Sequence, residues 1–298
     1  MESRACLTAD TGPQFAWLNR RRTLHCNHGP IDLLIQVDGS TAQRRRAMQA
    51  AIECFMDILP DLTTELAQLR AGVDSIEMPR GSVARRMVQA CLPFSDERVT
   101  PMAAVAGAVA DEVLDEMRTV ADCRRIWVNN GGDIAFCLAQ GQRFRCGLVP
   151  DLVTGRCDSH IELTCTDGIA GIATSGSAGK GGGGRSFSLG IADSVTVLAA
   201  SAARADAAAT LIANHVDLPG HHAVKRGAAR DIDPDSDLGQ RQVTLSVDRL
   251  TSNEITTALE AGVSYARCCL SAGRIAAAIL CLRGQKRVVG SLPLLAAA

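Results

Sequence analysis

Two residues set four apart, Asp206 and Thr210 in the stretch ARADAAATLIAN, are placed for oxygen chemistry. On a helix they share one face, one turn apart. A carboxylate and a hydroxyl so placed suit a hard cation such as Mg²⁺. The structural alternative is an acid near a helix start, favoured by the helix dipole, with Thr210 bonding back to its own helix. A second acid, Asp133, follows Asn129-Asn130-Gly131-Gly132 between two apolar stretches. Asn-Gly signals a tight hairpin. A hairpin needs no carboxylate, whereas a ligand hydroxyl or a cation would use one. A third feature, Thr174-Ser175-Gly176, is a small-residue turn at the end of an apolar strand, where glycine lets backbone come close to a ligand.

Other chemistry-bearing stretches fit named motifs poorly. Gly179-Lys180-Gly181-Gly182-Gly183-Gly184 matches G-x-G-x-x-G in letters only, because a dinucleotide fingerprint starts a helix at the third glycine and strand character follows here. It is not a Walker loop either, since Lys180 is followed by Gly181 rather than Ser or Thr. A mobile loop and an unorthodox phosphate cradle both remain open. His25, Cys26 and His28 lie so close on an extended segment that they project to alternate faces, which favours polar anchoring over a metal site. The acidic run Asp231, Asp233, Asp235 and Asp237 lacks the glycine and closing glutamate of a calcium loop. Gly81-Ser82 presents a helix N-terminus beside Arg80, Arg85 and Arg86, which reads either as a phosphate clamp or as a solvated face.

The elements that would position these groups are legible in outline. Residues 1–22 are expected to be an irregular lead-in. Ile31 to Val37 reads as a strand, and Thr41 to Leu66 as a helix broken at Pro60. Thr100-Pro101-Met102 opens a second helix, whose orphan N-terminal amides can face a ligand. Its stripe of Ala103, Ala104, Ala106, Gly107, Ala108 and Ala110 permits close packing. Ile126–Val128, Ile134–Leu138, residues 140–170 and Ser194–Leu198 are expected strands. Asp217 to Gly239 reads as polar loop. Gln242–Val247 follows as a strand, Glu254–Leu270 as a helix, and Ile275–Val289 as closing strands.

Composition narrows the function classes. Of 298 residues 47% are hydrophobic, enough for a large core, while 3% are aromatic, so Ala, Val, Ile and Leu fill it and base-stacking platforms are disfavoured. A net charge of −1 predicts neither nucleic-acid nor membrane-surface binding. The start lacks a basic segment followed by an apolar run, and no apolar run reaches the ~20 residues of a membrane span. A cytoplasmic protein is therefore expected, its 12 cysteines reduced and mostly buried.

Four pieces, in order, are TPMAAVAG (Thr100–Gly107), VNNGGDI (Val128–Ile134), ATSG (Ala173–Gly176), and SVTVLA with ADAAAT (Ser194–Ala199, Ala205–Thr210). Together they resemble the ApbE-like superfamily, whose best-known members are FAD:protein FMN transferases. HGPIDL (His28–Leu33), GRSFSLGIADSVTV (Gly184–Val197) and DPDSDLG (Asp233–Gly239) narrow the resemblance to a bacterial and archaeal branch. It spans roughly residues 23 to 290, so one domain over 23–298 is expected. The resemblance implies an α+β fold of the tunnelling-fold kind, antiparallel sheets packed with helices, with a flavin site between layers. It implies cofactor contacts from Met102, Asn130, Gly131, Gly132, Asp133, Thr174, Ser175 and Gly176, and Mg²⁺ on Asp206 and Thr210. FAD or FMN would be the cofactor. The transferases' H-x-x-D-P-x-T-G segment has no counterpart, for its place holds RSFSLGIAD (Arg185–Asp193). No catalytic residue is assigned. Three readings stay open: Mg²⁺-dependent FMN transfer from FAD to protein; a non-catalytic flavin carrier, chaperone or subunit serving a partner reductase; and an enzyme reusing the pocket through Asp193 or a cysteine. Cys137 and Cys165 lie nearest the motifs, on strand-like segments expected to be buried.

Overall fold

One antiparallel sheet of nine strands runs through the molecule. In the computed structural model of the chain, residues 12–20, 22–148, 159–176 and 187–291 are described, with the backbone of 294–296. The strands are β1 Gln14–Leu18, β2 Thr23–His28, β3 Ile31–Asp38, β4 Arg125–Asn130, β5 Asp133–Leu138, β6 Arg143–Leu148, β7 Ser159–Thr164, β8 Gly171–Ser175, β9 Ser194–Ala199, β10 Val224–Ala228, β11 Gln242–Val247, β12 Ala277–Leu282, β13 Gln285–Gly290 and β14 Leu294–Ala296. The large sheet has the order β1-β2-β3-β4-β5-β8-β9-β12-β13, and β14-β7-β6 form a second small sheet. The helices are α1 Thr41–Thr64, α2 Leu66–Leu69, α3 Ser82–Cys91, α4 Val105–Val120, α5 Ala202–His215, α6 Ala229–Ile232 and α7 Ser252–Ser271. The class is α+β with antiparallel sheets, as expected.

The two faces of the large sheet are buried differently. Val128, Ala135, Ala173, Val197 and Leu280 face the helices and join the main core with Phe55, Met87, Val113 and Ile212. Phe136, Ile172, Leu198 and Ile279 face the other way and meet Phe144, Ile161 and Leu163 of the small sheet. Phe136 and Phe144 stack there at 4.7 Å between ring centroids. Burial on both faces explains why β9 and β12, SVTVLA and AAILCL, are buried at every position. Strand alternation tells which face each residue serves.

Several elements depart from expectation for physical reasons. Residues 14–18 are not irregular: QFAWL adds an edge strand to β2, with all five residues exposed, so no burial pattern announced it. Helix α1 passes through Pro60. Pro60 and Met56, whose carbonyl loses its partner, both lie on the solvent face, where water can serve that oxygen. Residues 217–239 include β10 and α6 rather than loop alone; β10 is held by pairing with β11, a long-range contact with a bulge between Lys225 and Arg226. Every described cysteine is a free thiol, with Cys26, Cys91, Cys123, Cys269 and Cys281 buried. Cys137 is partly buried on β5, whereas Cys165 is exposed in a short 3₁₀ turn rather than buried on a strand.

Candidate functional site

The hairpin between β4 and β5 turns on Gly131 and Gly132, with φ of 63° and 117°. These left-handed values favour glycine. The hairpin reading of Asn-Gly-Gly thus holds, and Asn129 closes the turn by accepting from the Gly132 N–H at 2.8 Å. Asn130 and Asp133 are paired across it. Both lie in register with the residues that face the helices, Val128 and Ala135. Asn130 is buried; its amide donates to the Ala106 carbonyl at 3.1 Å, tying the hairpin to the start of α4. Its oxygen accepts from the Asp32 N–H at 3.4 Å.

Asp133 accepts from the Thr174 N–H at 3.1 Å, so the GGD turn and the TSG turn are joined through a carboxylate. The Thr174 hydroxyl bonds that of Thr196 at 2.9 Å. Register places Thr174, Thr196 and Ile279 in one row, and Ile279 belongs to the small-sheet core. The Thr174 hydroxyl therefore points away from Asp133, while Ser175 lies on the helix side. Gly176 has φ 133°, and a Cβ there would stand 2.7 Å from the Ser194 Cα. That glycine fits both the conformation and the close approach.

Helix α5 brings the next group. Ser201 caps it by accepting from the Arg204 N–H. Its first turn lies against two glycines: a Cβ on Gly107 would stand 2.3 Å from the Ala202 carbonyl oxygen, and one on Gly171 would stand 2.1 Å from the Ser201 carbonyl carbon. Asp206, one turn in, accepts from the Gly107 N–H at 3.0 Å. In return Asp111 of α4 accepts from the Ala202 and Ala203 N–H groups at 2.9 and 2.8 Å. The small-residue stripe of α4 is thus a packing surface against α5. Asp111 was not singled out beforehand. Its signal was present, for it sits one turn after Gly107 on the buried face of α4, where an unpartnered carboxylate would be costly.

Asp133 and Asp206 act on each other. Burial pushes the Asp133 carboxyl up to about 7, against the downward pull of the Thr174 N–H. Burial and then the charge of Asp133 drive Asp206 well above the usual carboxylate range, against bonds from the Gly107 and Ala106 N–H groups, with Asp111 adding a smaller upward push. An acid raised by burial and by the charge of a second carboxylate is equally disposed to bind another cation. Thr210 lies one turn further along α5, half-buried. The donors are all oxygen, the chemistry a hard divalent ion takes. Among the described residues no group of three or more His, Cys, Asp or Glu gathers around a metal position, so a cation here would rest on two carboxylates, hydroxyls and water. Met102 lies in the 3₁₀ turn Pro101–Ala104 before α4, half-buried against the main core.

Other expected features are placed elsewhere. The loop Gly179–Gly184, with Lys180 and Arg185, lies outside the described residues. The phosphate clamp at Gly81 is overturned. The N–H groups of Arg80 and Gly81 already donate to the carboxylate of Glu65, at 2.6 and 3.0 Å. Arg86 is paired with Glu112 and Asp115 at 2.5 and 2.8 Å. An internal anion occupies the place a phosphate would take. Asp193 accepts from the Arg283 N–H and anchors the end of β12. Two clefts, of ≈ 360 and ≈ 420 Å³, both lie away from Asp133 and Asp206.

Comparison with known proteins agrees with the motif pattern. A UPF0280 protein of Methanopyrus kandleri is 40% identical over 139 residues, covering 44% of this chain and 48% of that protein. One from Methanocaldococcus jannaschii is 38% identical over 118 residues, covering 39% and 44%. A third, from Archaeoglobus fulgidus, is 29% identical over 170 residues, covering 57% and 65%. The chain thus spans about half the length of the first curated relatives it matches. Among solved structures, the apo form of the Pseudomonas stutzeri flavinyl transferase ApbE matches with a TM-score of 0.47 and 12% identity, over 94% of this chain and 93% of that one. No described helix is long and apolar enough to cross a membrane. The family model described as AbpE bacteria matches residues 15–288, nearly the whole chain, and the chain belongs to that family.

Proposed function

We propose that the protein binds a flavin nucleotide at the sheet end where the GGD hairpin, the TSG turn and the start of α5 converge. The observation that carries this reading is the coupled pair Asp133 and Asp206, held by backbone N–H groups from two separate turns. Asp206 and Thr210 would hold Mg²⁺, with Asp133 facing the same space. When bound, the ion would polarise a pyrophosphate toward attack. The chain's own contribution is positioning. Asn130 fixes the hairpin to α4, Gly131 and Gly132 leave the turn without side chains, and the Gly107 N–H orients Asp206. Membership of the AbpE bacteria family, together with the ApbE-like motif pattern, supports flavin as the nucleotide.

Two forms of this reading differ in outcome. In the first, FMN passes from FAD to a threonine of a partner flavoprotein. In the second, the protein carries or delivers flavin to a partner reductase without turnover. The second is favoured by the segment Phe187–Asp193, which holds no histidine and whose one acid is already used to anchor Arg283. Flavin fluorescence quenching by the purified chain, with and without Mg²⁺, tests the shared claim; absence of quenching by FAD and FMN sinks it. Incubation with FAD, Mg²⁺ and an acceptor peptide of the form DxxSGAT separates the forms. Covalent flavin with AMP release shows transfer, and a bound yellow cofactor without either shows carriage.

A further inference from the structure

At the far end of β4 from the GGD hairpin lies a cleft of ≈ 360 Å³, lined by Arg22, Gln36, Val37, Asp38, Arg44, Arg125 and Trp127. Five residue steps of extended strand take Arg125 to Asn130, roughly 16 Å, so the cleft is distinct from the carboxylate pair. Its volume falls within the ~300–1,000 Å³ of small-molecule sites.

The charges in it are unevenly satisfied. Asp38 is shared by Arg124 at 2.6 Å and Arg125 at 3.9 Å. Arg125 also donates to the Arg143 carbonyl. Among the described residues, the side chains of Arg22 and Arg44 have neither an ion pair nor a hydrogen bond. Two positions are held against local preference. Arg22 is brought back to the sheet by a turn in which Asn19 and Arg20 take φ of 50° and 55°. That is costly for a residue such as Arg. Arg44 sits at the start of α1, which has no acid in its first turn. A cation there opposes the helix dipole unless an anion joins it.

Trp127 supplies a flat wall. It pairs with Gln36 on one side and Phe136 on the other, and packs in part on the small-sheet core. An indole and two unpaired guanidinium groups lining one cleft match a ligand with an aromatic ring and a phosphate. Guanidinium forks grip phosphate oxygens, and bases stack on aromatic faces.

We propose that this cleft binds a nucleoside mono- or diphosphate, its phosphate on Arg22 and Arg44 and its base against Trp127. This claim does not rest on the flavin reading. The chain has two tryptophans, so Trp17→Phe leaves Trp127 as the sole indole emitter. Titration of that variant with AMP and ADP is expected to quench emission to saturation, with inorganic phosphate competing at least tenfold more weakly. Arg22→Ala and Arg44→Ala each weaken ADP binding about tenfold, as loss of one charge-assisted bond does, and circular dichroism verifies their fold. Added salt weakens binding in parallel. Asp206→Asn, which keeps an oxygen for the Gly107 N–H, leaves the ADP titration unchanged. Absence of saturable quenching, phosphate binding as tightly as ADP, unchanged ADP affinity in both arginine variants, or loss of binding in a folded Asp206→Asn variant overturns the proposal.

Discussion

Asp111 and Asp206 cap each other's helices. Asp111 of α4 takes the first two N–H groups of α5, and Asp206 of α5 takes the Gly107 N–H in the first turn of α4. Each carboxylate satisfies orphan donors and sits at the positive end of the partner's dipole. The site acid is therefore also a structural acid, and changes at the two positions should separate those roles.

Asp111→Ala removes two charge-assisted hydrogen bonds from a buried helix start. Loss of a cap costs about 0.5–2 kcal/mol, and the two N–H groups left unpaired place this variant at or above the upper end. Urea unfolding should show a lower midpoint with an unchanged slope. Asp111→Asn retains one acceptor and should lose less.

Asp206→Asn keeps an oxygen for the Gly107 N–H while removing the charge that Asp133 opposes. The expected result is a protein at least as stable as the wild type at pH 8, with its Mg²⁺-dependent rise in Tm abolished. A stable variant that still responds to Mg²⁺ like the wild type would remove Asp206 from the cation site.

The pH dependence has a definite sign. Asp133 is raised in the folded protein to about 7 from 3.8, so the folded state binds its proton more tightly than the unfolded chain. Stability from this group is full below about pH 4 and is lost as pH rises toward and through 7. Thermal melts of the metal-free protein, compared with Asp133→Asn, should show a wild-type decline as pH rises from about 4 through 7 that is smaller in the variant, where Asp206, itself raised mainly by burial, still contributes. A divalent cation should offset that decline mainly above pH 7, where the carboxylates are charged.

Glu65→Ala should expose what the phosphate-clamp expectation overlooked. Its carboxylate satisfies the Arg80 and Gly81 N–H groups beside α3. Removal leaves both to water and should cost about 0.5–1.5 kcal/mol, readable by denaturant titration. An added sulfate that restores part of the loss would show that the vacated place is an anion site in its own right.

What the sequence disclosed follows from the range of the interactions involved. The GGD turn was legible because its glycines adopt φ values that few other residues tolerate, a local cause. The Asp206 helix was legible from the four-residue spacing of Asp206 and Thr210. Asp111 was hidden among the four acids of α4, because its partners are N–H groups of α5, packed from far along the chain. Glu65 misled for the same reason: Gly81-Ser82 does open a helix beside arginines, but its anion comes from 15 residues away and within the chain. The edge strand β1 and the β10–β11 pair depend on neighbours rather than on their own patterns.

Gly107 and Gly171 touch no ligand in any reading of the site, yet they act as its gauge blocks. Each lets backbone from α4 or β8 reach the first turn of α5 where a single methyl group would intrude. The spacing between the acid on α5 and the acid on β5 is consequently set by two atoms that are missing from the chain. A methyl added at either position would lever the helix outward and part the carboxylates without altering any group that could bind. Loss of function at these glycines would thus be an error of dimension rather than of chemistry.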